Sequence, residues 1–200
     1  ETLNTMAVTS DGGCIVAGET WTYTHGLADI YVVRLDSQGN ILWSSSYGDD
    51  WRDTANIIAQ TPDGGFIVAG KKGIGEEAYD AWIIKTDSNG FPVWNKIFGG
   101  ADNEVVRDIV VNTDGTFTAI VVTWSEGAGL NDLKLMRFSS TGDVIWEKLY
   151  GGPEADYPIS LSRTSDGGFI ISGDTKSYGA GEYDLWLLKL DPDGNCNNCF

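Results

Sequence analysis

A period of about 51 residues runs through the whole chain, and it limits the fold more than any other feature. Asp-Gly occurs at Asp11-Gly12, Asp63-Gly64, Asp114-Gly115 and Asp166-Gly167, at steps of 52, 51 and 52 residues. Asp29, Asp80, Asp132 and Asp184 form a second series, and Gly39, Gly90, Gly142 and Gly194 a third, always ten residues after the second. Trp43, Trp94 and Trp146 stand four further on, and Glu1, Asp53, Glu104 and Asp156 lie ten residues before each Asp-Gly. Five registered series divide the chain into repeats at 1–52, 53–103, 104–155 and 156–200.

Each repeat reads as four strands. In the second, strands are expected over 54–61, 66–71, 80–86 and 92–98, joined by Pro62-Asp63-Gly64-Gly65, a longer loop at 72–79, and Asp87-Ser88-Asn89-Gly90. Asp and Asn tolerate positive φ and Gly prefers it, so these tetrads suit hairpin turns. The second strand, Phe66-Ile67-Val68-Ala69-Gly70, is apolar at consecutive positions, which predicts cover on both faces. A four-stranded unit covered on both sides and repeated at this period describes a propeller blade between two neighbours. The expected fold is therefore all-β: a β-propeller of four blades of about 51 residues, the last lacking a clear outer strand. The alternative is an open β-solenoid, whose rungs are usually shorter and need not hold four antiparallel strands. The third repeat departs from the pattern with Thr116, Val121 and Lys134, and the fourth has Asn198 where the repeated Trp belongs.

The run Asp-Gly-Gly-Phe-Ile-Val-Ala-Gly, then Asp-x-Trp-(Ile/Leu)-(Ile/Leu)-Lys-x-Asp-x-x-Gly, then Trp-x-x-x-(Tyr/Phe)-Gly-Gly, resembles repeats of secreted and cell-surface β-propeller proteins of bacteria and archaea. The resemblance covers the whole chain and implies an exported scaffold with varied binding duties. The Gly-x-x-x-Trp segment is also similar to the tryptophan-docking motif of quinoprotein propellers, but no residues matching their cofactor pocket accompany it.

Composition narrows the partners. With 13 Lys+Arg against 29 Asp+Glu the net charge is −16, which disfavours nucleic acid and anionic membrane surfaces. No apolar run approaches the roughly 20 residues of a membrane helix, and no basic-then-apolar leader opens the sequence. A lone histidine, His25, excludes a three-His zinc site.

Several residues invite chemistry. The two acidic series begin the first and third strands, so a ring of carboxylates able to hold a cation or do acid/base work is one reading. The other is that an acceptor at a strand start bonds the backbone of its loop, which better suits residues present in every repeat. Arg34, Lys85, Arg137 and Lys189 are expected to pair along their own strand with Asp36, Asp87, Ser139 and Asp191. Asp191, Asp193 and Asn195 have the spacing that starts calcium loops, without the downstream Glu; a hairpin turn explains them equally. No other cofactor is implied. Cys196-x-x-Cys199 lacks further zinc ligands, and Cys14 either meets a C-terminal cysteine in a disulfide or stays a reduced core residue.

Loops vary most at 19–28, 72–79, 123–131 and 174–183, and variable loops on a rigid scaffold are where function usually lies. The candidate ligand-binding residues there, or on the adjoining connections, are Trp21, Tyr23, His25, Trp51, Arg52, Tyr79, Trp124, Tyr157, Tyr178 and Tyr183. Aromatic rings beside carboxylates and amides stack on a sugar or anchor a protein. The expected function is a non-catalytic, secreted or surface module binding a glycan or a protein. A glycan hydrolase or lyase using loop carboxylates, for which Glu76-Glu77 is the one loop pair, and a purely structural repeat segment are the alternatives. The strand from Leu185 to Leu190 is expected to have an open edge. That edge would accept a strand from a neighbouring chain or a parent polypeptide, unless residues 196–200 supply it.

Overall fold

The computed structural model describes residues 1–22, 24 and 26–196. Tyr23, His25 and residues 197–200, Asn198 and Cys199 among them, lie outside the described residues. Fifteen strands and no helix are present among those described, so no helix is long and apolar enough to cross a membrane.

The strands form four antiparallel sheets, one per repeat. Sheet 1 holds β1 (Thr2–Val8), β2 (Cys14–Thr20), β3 (Asp29–Leu35) and β4 (Ile41–Tyr47), in that order. Sheet 2 holds β5 (Thr54–Gln60), β6 (Phe66–Gly73), β7 (Tyr79–Thr86) and β8 (Pro92–Phe98). Sheet 3 holds β9 (Glu104–Val111), β10 (Phe117–Thr123), β11 (Asp132–Phe138) and β12 (Val144–Tyr150). Sheet 4 holds three: β13 (Asp156–Arg163), β14 (Phe169–Thr175) and β15 (Asp184–Leu190). Every first strand carries a bulge at the same repeat position, at Asn4, Asn56, Arg107 and Ile159. The turns behave as their residues require: Gly12, Gly64, Gly115 and Gly167 all adopt φ between 80° and 86°.

The chain forms two compact units, 1–99 and 100–200, each with two sheets. In the first unit, Ile15, Ala17, Ile30 and Val32 of sheet 1 share a core with Ile58, Phe66, Val68 and Ile84 of sheet 2. In the second, Ile120, Leu133 and Leu135 of sheet 3 share one with Leu161, Phe169, Ile171 and Leu188 of sheet 4. The same two repeat positions therefore meet in both cores. Call the face carrying Ile15 and Ile30 the back of a sheet and the face carrying Phe66 and Val68 its front: backs pack on fronts. The repeated Trp and Tyr lock these pairs at the turn end. Trp43 Nε1 donates to Ser88 O (3.0 Å) and Tyr47 Oη to Gly90 O (2.6 Å); Tyr150 Oη donates to Gly194 O. A Cβ on Gly90 or Gly194 would press into the ring of Trp43 or Trp146, which is one reason for glycine there.

β10 is buried at every position and β6 at its first five, as their continuous apolar runs predict. β14 and β15 instead alternate, and Leu185 and Leu187 are exposed. The expected pairing of Arg34, Lys85, Arg137 and Lys189 along their own strands is corrected. They reach across the sheet to the Asp-Gly turn, binding Asp11, Asp63, Asp114 and Asp166 at 2.6, 3.0, 2.7 and 2.8 Å. The reason is that the turn aspartate lies at the end of the hairpin beside the long cationic side chain, while Asp36, Asp87 and Asp191 are occupied by their own turns. Cys14 is a free thiol on the front of sheet 1 and Cys196 is disulfide-bonded, so Cys14 forms no bridge to the C-terminal cysteines.

Candidate functional site

The repeated acids sit at strand starts and are built into the loops. Asp132 Oδ2 accepts from the N–H of Ala128 (2.7 Å) and Gly129 (3.1 Å), and Asp184 Oδ2 from Ala180 (2.9 Å). Asp156 accepts from Gly152 N and Ser177 Oγ, both at 2.7 Å, and from Thr175 Oγ1. Glu104 accepts from Thr123 Oγ1 at 2.9 Å. Asp53 accepts from Gly73 N (2.9 Å) and Asp49 N (3.1 Å). Burial pushes the Asp53 carboxyl up to about 6 against the opposing pull of Lys72 Nζ, 3.7 Å away. Burial also raises Asp132, and the charge of Asp156 adds to the effect. A Cβ on Gly48 or Gly151 would overlap the carboxylate of Asp29 or Asp132, which explains the glycine after Tyr47 and Tyr150. These carboxylates are loop caps. Among the described residues no group of three or more His, Cys, Asp or Glu side chains is placed to hold a metal. Asp191 Oδ1 accepts from Asp193 N (2.9 Å) and Asn195 N (2.7 Å), and Oδ2 from Asn195 Nδ2 (3.0 Å). The same cage of N–H donors surrounds Asp36, so this is the hairpin turn of the repeat.

The loop aromatics fall into local groups. In the second unit the Trp124 and Tyr157 ring centroids are 6.3 Å apart and those of Tyr157 and Tyr183 6.2 Å apart, tilted by 66° and 50°. Trp124 comes from the loop after β10, Tyr157 from β13, and Tyr183 from just before β15. Lys176 Nζ lies 4.4 Å from the Tyr183 centroid and 3.2 Å from Glu182 Oε2. Burial, then the neighbouring Tyr183 hydroxyl, raises the Tyr157 hydroxyl. The result is a run of three rings with a cation and a carboxylate at one end, and Tyr183 is half exposed. Tyr178 stands apart from it: its ring stacks on Trp186 (6.5 Å, 29°) and its hydroxyl donates to Gly151 O (2.8 Å).

In the first unit Trp21 is 48% exposed and lies under the Arg52 guanidinium at 5.9 Å. Arg52 is held by two hydrogen bonds to Glu19 Oε2, at 3.0 and 2.8 Å, and Glu19 is fixed in turn by Thr54 Oγ1 at 2.8 Å. Tyr79 lies under Lys71 Nζ at 4.6 Å. Trp51 is half-buried with its Cβ against Gly73. Glu76 and Glu77 are both exposed.

Lys71, Lys72, Glu19, Lys176 and Glu182 were not singled out by the sequence. One signal was present: Lys72 occupies the repeat position where Thr20, Thr123 and Thr175 stand. There it meets Asp49 at 2.7 Å and lies 4.7 Å from the Trp82 ring.

No family model matches the chain. A regulatory protein of Caulobacter vibrioides, FlaEY, is 27% identical over 206 residues, covering 88% of this chain. The chain spans about a fifth (20%) of that protein's length. Among solved structures, the endo-arabinase of Bacteroides thetaiotaomicron aligns with TM-score 0.54 and 11% identity, over 95% of this chain and 75% of its own. That likeness concerns the fold. A Staphylococcus aureus phage tail fiber aligns at TM-score 0.34 and 9% identity, over 93% of this chain and 49% of its own, too slight to bear on fold or function.

Proposed function

We propose that this chain is a non-catalytic, propeller-type module of an exported or surface protein, its four sheets acting as blades, and that its loops bind a glycan. The observation that carries this reading is the run Trp124–Tyr157–Tyr183 with Lys176 and Glu182 at its end. Tilted rings give apolar faces for the C–H surface of a sugar, and the tyrosine hydroxyls, ammonium and carboxylate supply the donors and acceptors that its hydroxyls need. The repeats that the sequence resembles look like scaffolds with varied binding duties, and the endo-arabinase likeness supports the scaffold alone. The hydrolase reading draws less support, because Asp53 and Asp132 accept hydrogen bonds from loop N–H groups and Glu76 and Glu77 are exposed neighbours in sequence. A structural segment within a larger protein is favoured by one observation, the length of FlaEY.

A glycan-array screen, with and without calcium, is the first test, followed by titration of the best hit. Tyr183→Ala is expected to weaken binding at least tenfold, or about 1.4 kcal/mol, with little change in melting temperature because the ring is half exposed. Equal loss of stability and binding would mean that the cluster is core, and no glycan hit would turn the reading toward a protein partner.

A further inference from the structure

Two sheet faces, one of each kind, expose to solvent the repeat positions that are buried in the other sheets. At the repeat positions of Ile30 and Val32, sheet 1 is 0% and 1% exposed, and sheet 3, with Leu133 and Leu135, is 0% exposed at both. At the same positions sheet 4 carries Leu185 and Leu187, which are 81% and 59% exposed. Ile170, Ser172, Asp174 and Lys189 share this face, standing where sheet 1 has Ile15, Ala17, Glu19 and Arg34 on its own back. Sheet 4 thus has the sequence of a back that packs on a front, and the face is open to solvent.

Sheet 1 shows the converse. Met6 pairs with Val16 and Val8 with Cys14, so all four lie on its front. Met6 occupies the repeat position of Ile58, which is 2% exposed in the core of sheet 2, and Val16 that of Val68, which is 1% exposed. Met6 is 60% and Val8 75% exposed. Exposed apolar side chains at positions that are core in the other sheets, on a chain of net charge −16, are not a solubility device.

We propose that these two faces are the halves of a head-to-tail interface between copies of this chain: the back of sheet 4 in one copy seats on the front of sheet 1 in the next. The occupant follows from the two cores already described, in which Ile15, Ile30 and Val32 meet Ile58, Phe66 and Val68, and Leu133 and Leu135 meet Phe169 and Ile171. A back of this repeat has a front of this repeat as its complement, and each copy carries one of each. The contact is heterologous, so it leads to rings or open chains rather than a closed two-fold dimer. Repulsion between acidic copies opposes it, and salt therefore strengthens it.

Sedimentation of the full chain over a concentration series tests this. Wild type is expected to gain mass with concentration, more so at 0.5 M than at ~0.05 M NaCl. Leu187→Lys spoils the back and Met6→Lys the front. Both bring the net charge closer to zero, so general repulsion falls, yet each alone is expected to remain monomeric with an unchanged melting temperature. Mixed, they are expected to form a 1:1 complex that grows no further, because the front of the first variant and the back of the second are intact. A wild type that stays monomeric at all concentrations overturns the proposal, as does association that both variants retain, or two monomeric variants that fail to combine.

Discussion

At the residue scale, the repeated acids are worth following because their burial has a measurable sign. Asp53 is fully buried, and its carboxyl stands at about 6, above the ordinary value of 3.8. An acid raised in this way keeps its proton longer in the folded state than in the unfolded one. Between about pH 4 and pH 6 the folded state then binds more protons, and stability falls as pH rises. The contribution lost across that window is about 2–3 kcal/mol. Asp11 works the other way. Hydrogen bonds from Thr9 and Gly13, with Arg34, hold it at about 2, so its contribution is lost only as the pH falls from about 4 toward 2. The windows do not overlap. In urea unfolding from pH 3.5 to 7, the stability of wild type relative to Asp53→Asn is expected to fall between pH 4 and 6. A constant difference across that range would mean that Asp53 is ionised throughout. Little of this was legible in the sequence. The series marked the acids as structural, but which of them is buried beside a lysine depends on Lys72 replacing a threonine.

At the element scale the sequence was most informative, because strand and turn are local. In the second repeat the expected strands and those observed differ by no more than two residues at any end, since apolar runs and positive-φ glycines fix both limits. What could not be read was who faces whom. Arg34 and Asp11 are 23 residues apart in the chain and meet only because β2 and β3 place the Asp-Gly turn beside the side chain. The outer edge of sheet 4 is a similar matter. Leu190 bridges Cys196 in the register of Leu35 with Ile41, Thr86 with Pro92 and Phe138 with Val144. Beyond that bridge β15 has no partner on its outer edge among the described residues. Trp82 Nε1 donates to Asn95 of β8 at 3.4 Å, while Trp186, at the same repeat position, lines an open cavity of about 360 Å³ with Leu149, Tyr178 and Leu188. Residues 197–200 lie outside the described residues, and we propose that the edge beyond Leu190 accepts a strand. Outward-facing amides of β15 are expected to exchange with solvent hydrogen much faster than those of β7 and β11, which are paired on both sides. Added peptide with the sequence of β8 is expected to slow them. Protection equal to that of β7 without peptide would show the edge to be already filled.

For the whole molecule, the loops carried a partial message: of the candidate aromatics, Trp124, Tyr157 and Tyr183 assemble, while Tyr178 packs on Trp186. Sequence spacing cannot separate these outcomes, because the ring contacts join residues of different loops and strands, and Trp124 meets Tyr157 across two repeats. Charge, in contrast, was fully legible, and it sets the last expectation. With a net charge of −16 the folded chain repels itself, and screening relieves a compact state more than an extended one. Raising NaCl from about 10 to 150 mM is expected to stabilise the fold by about 1 kcal/mol, a rise of about 2–4 °C in melting temperature. Divalent cations add a diffuse effect on an acidic surface, so calcium must be judged against magnesium at equal concentration. The two are expected to act alike, because both oxygens of Asp191 accept hydrogen bonds from its own turn. Asp193 is exposed beside it, and Asp193→Asn leaves those bonds in place. A calcium-specific rise that this substitution removes would make the turn a calcium seat; equal responses to the two ions, unchanged in the variant, leave it a hairpin turn.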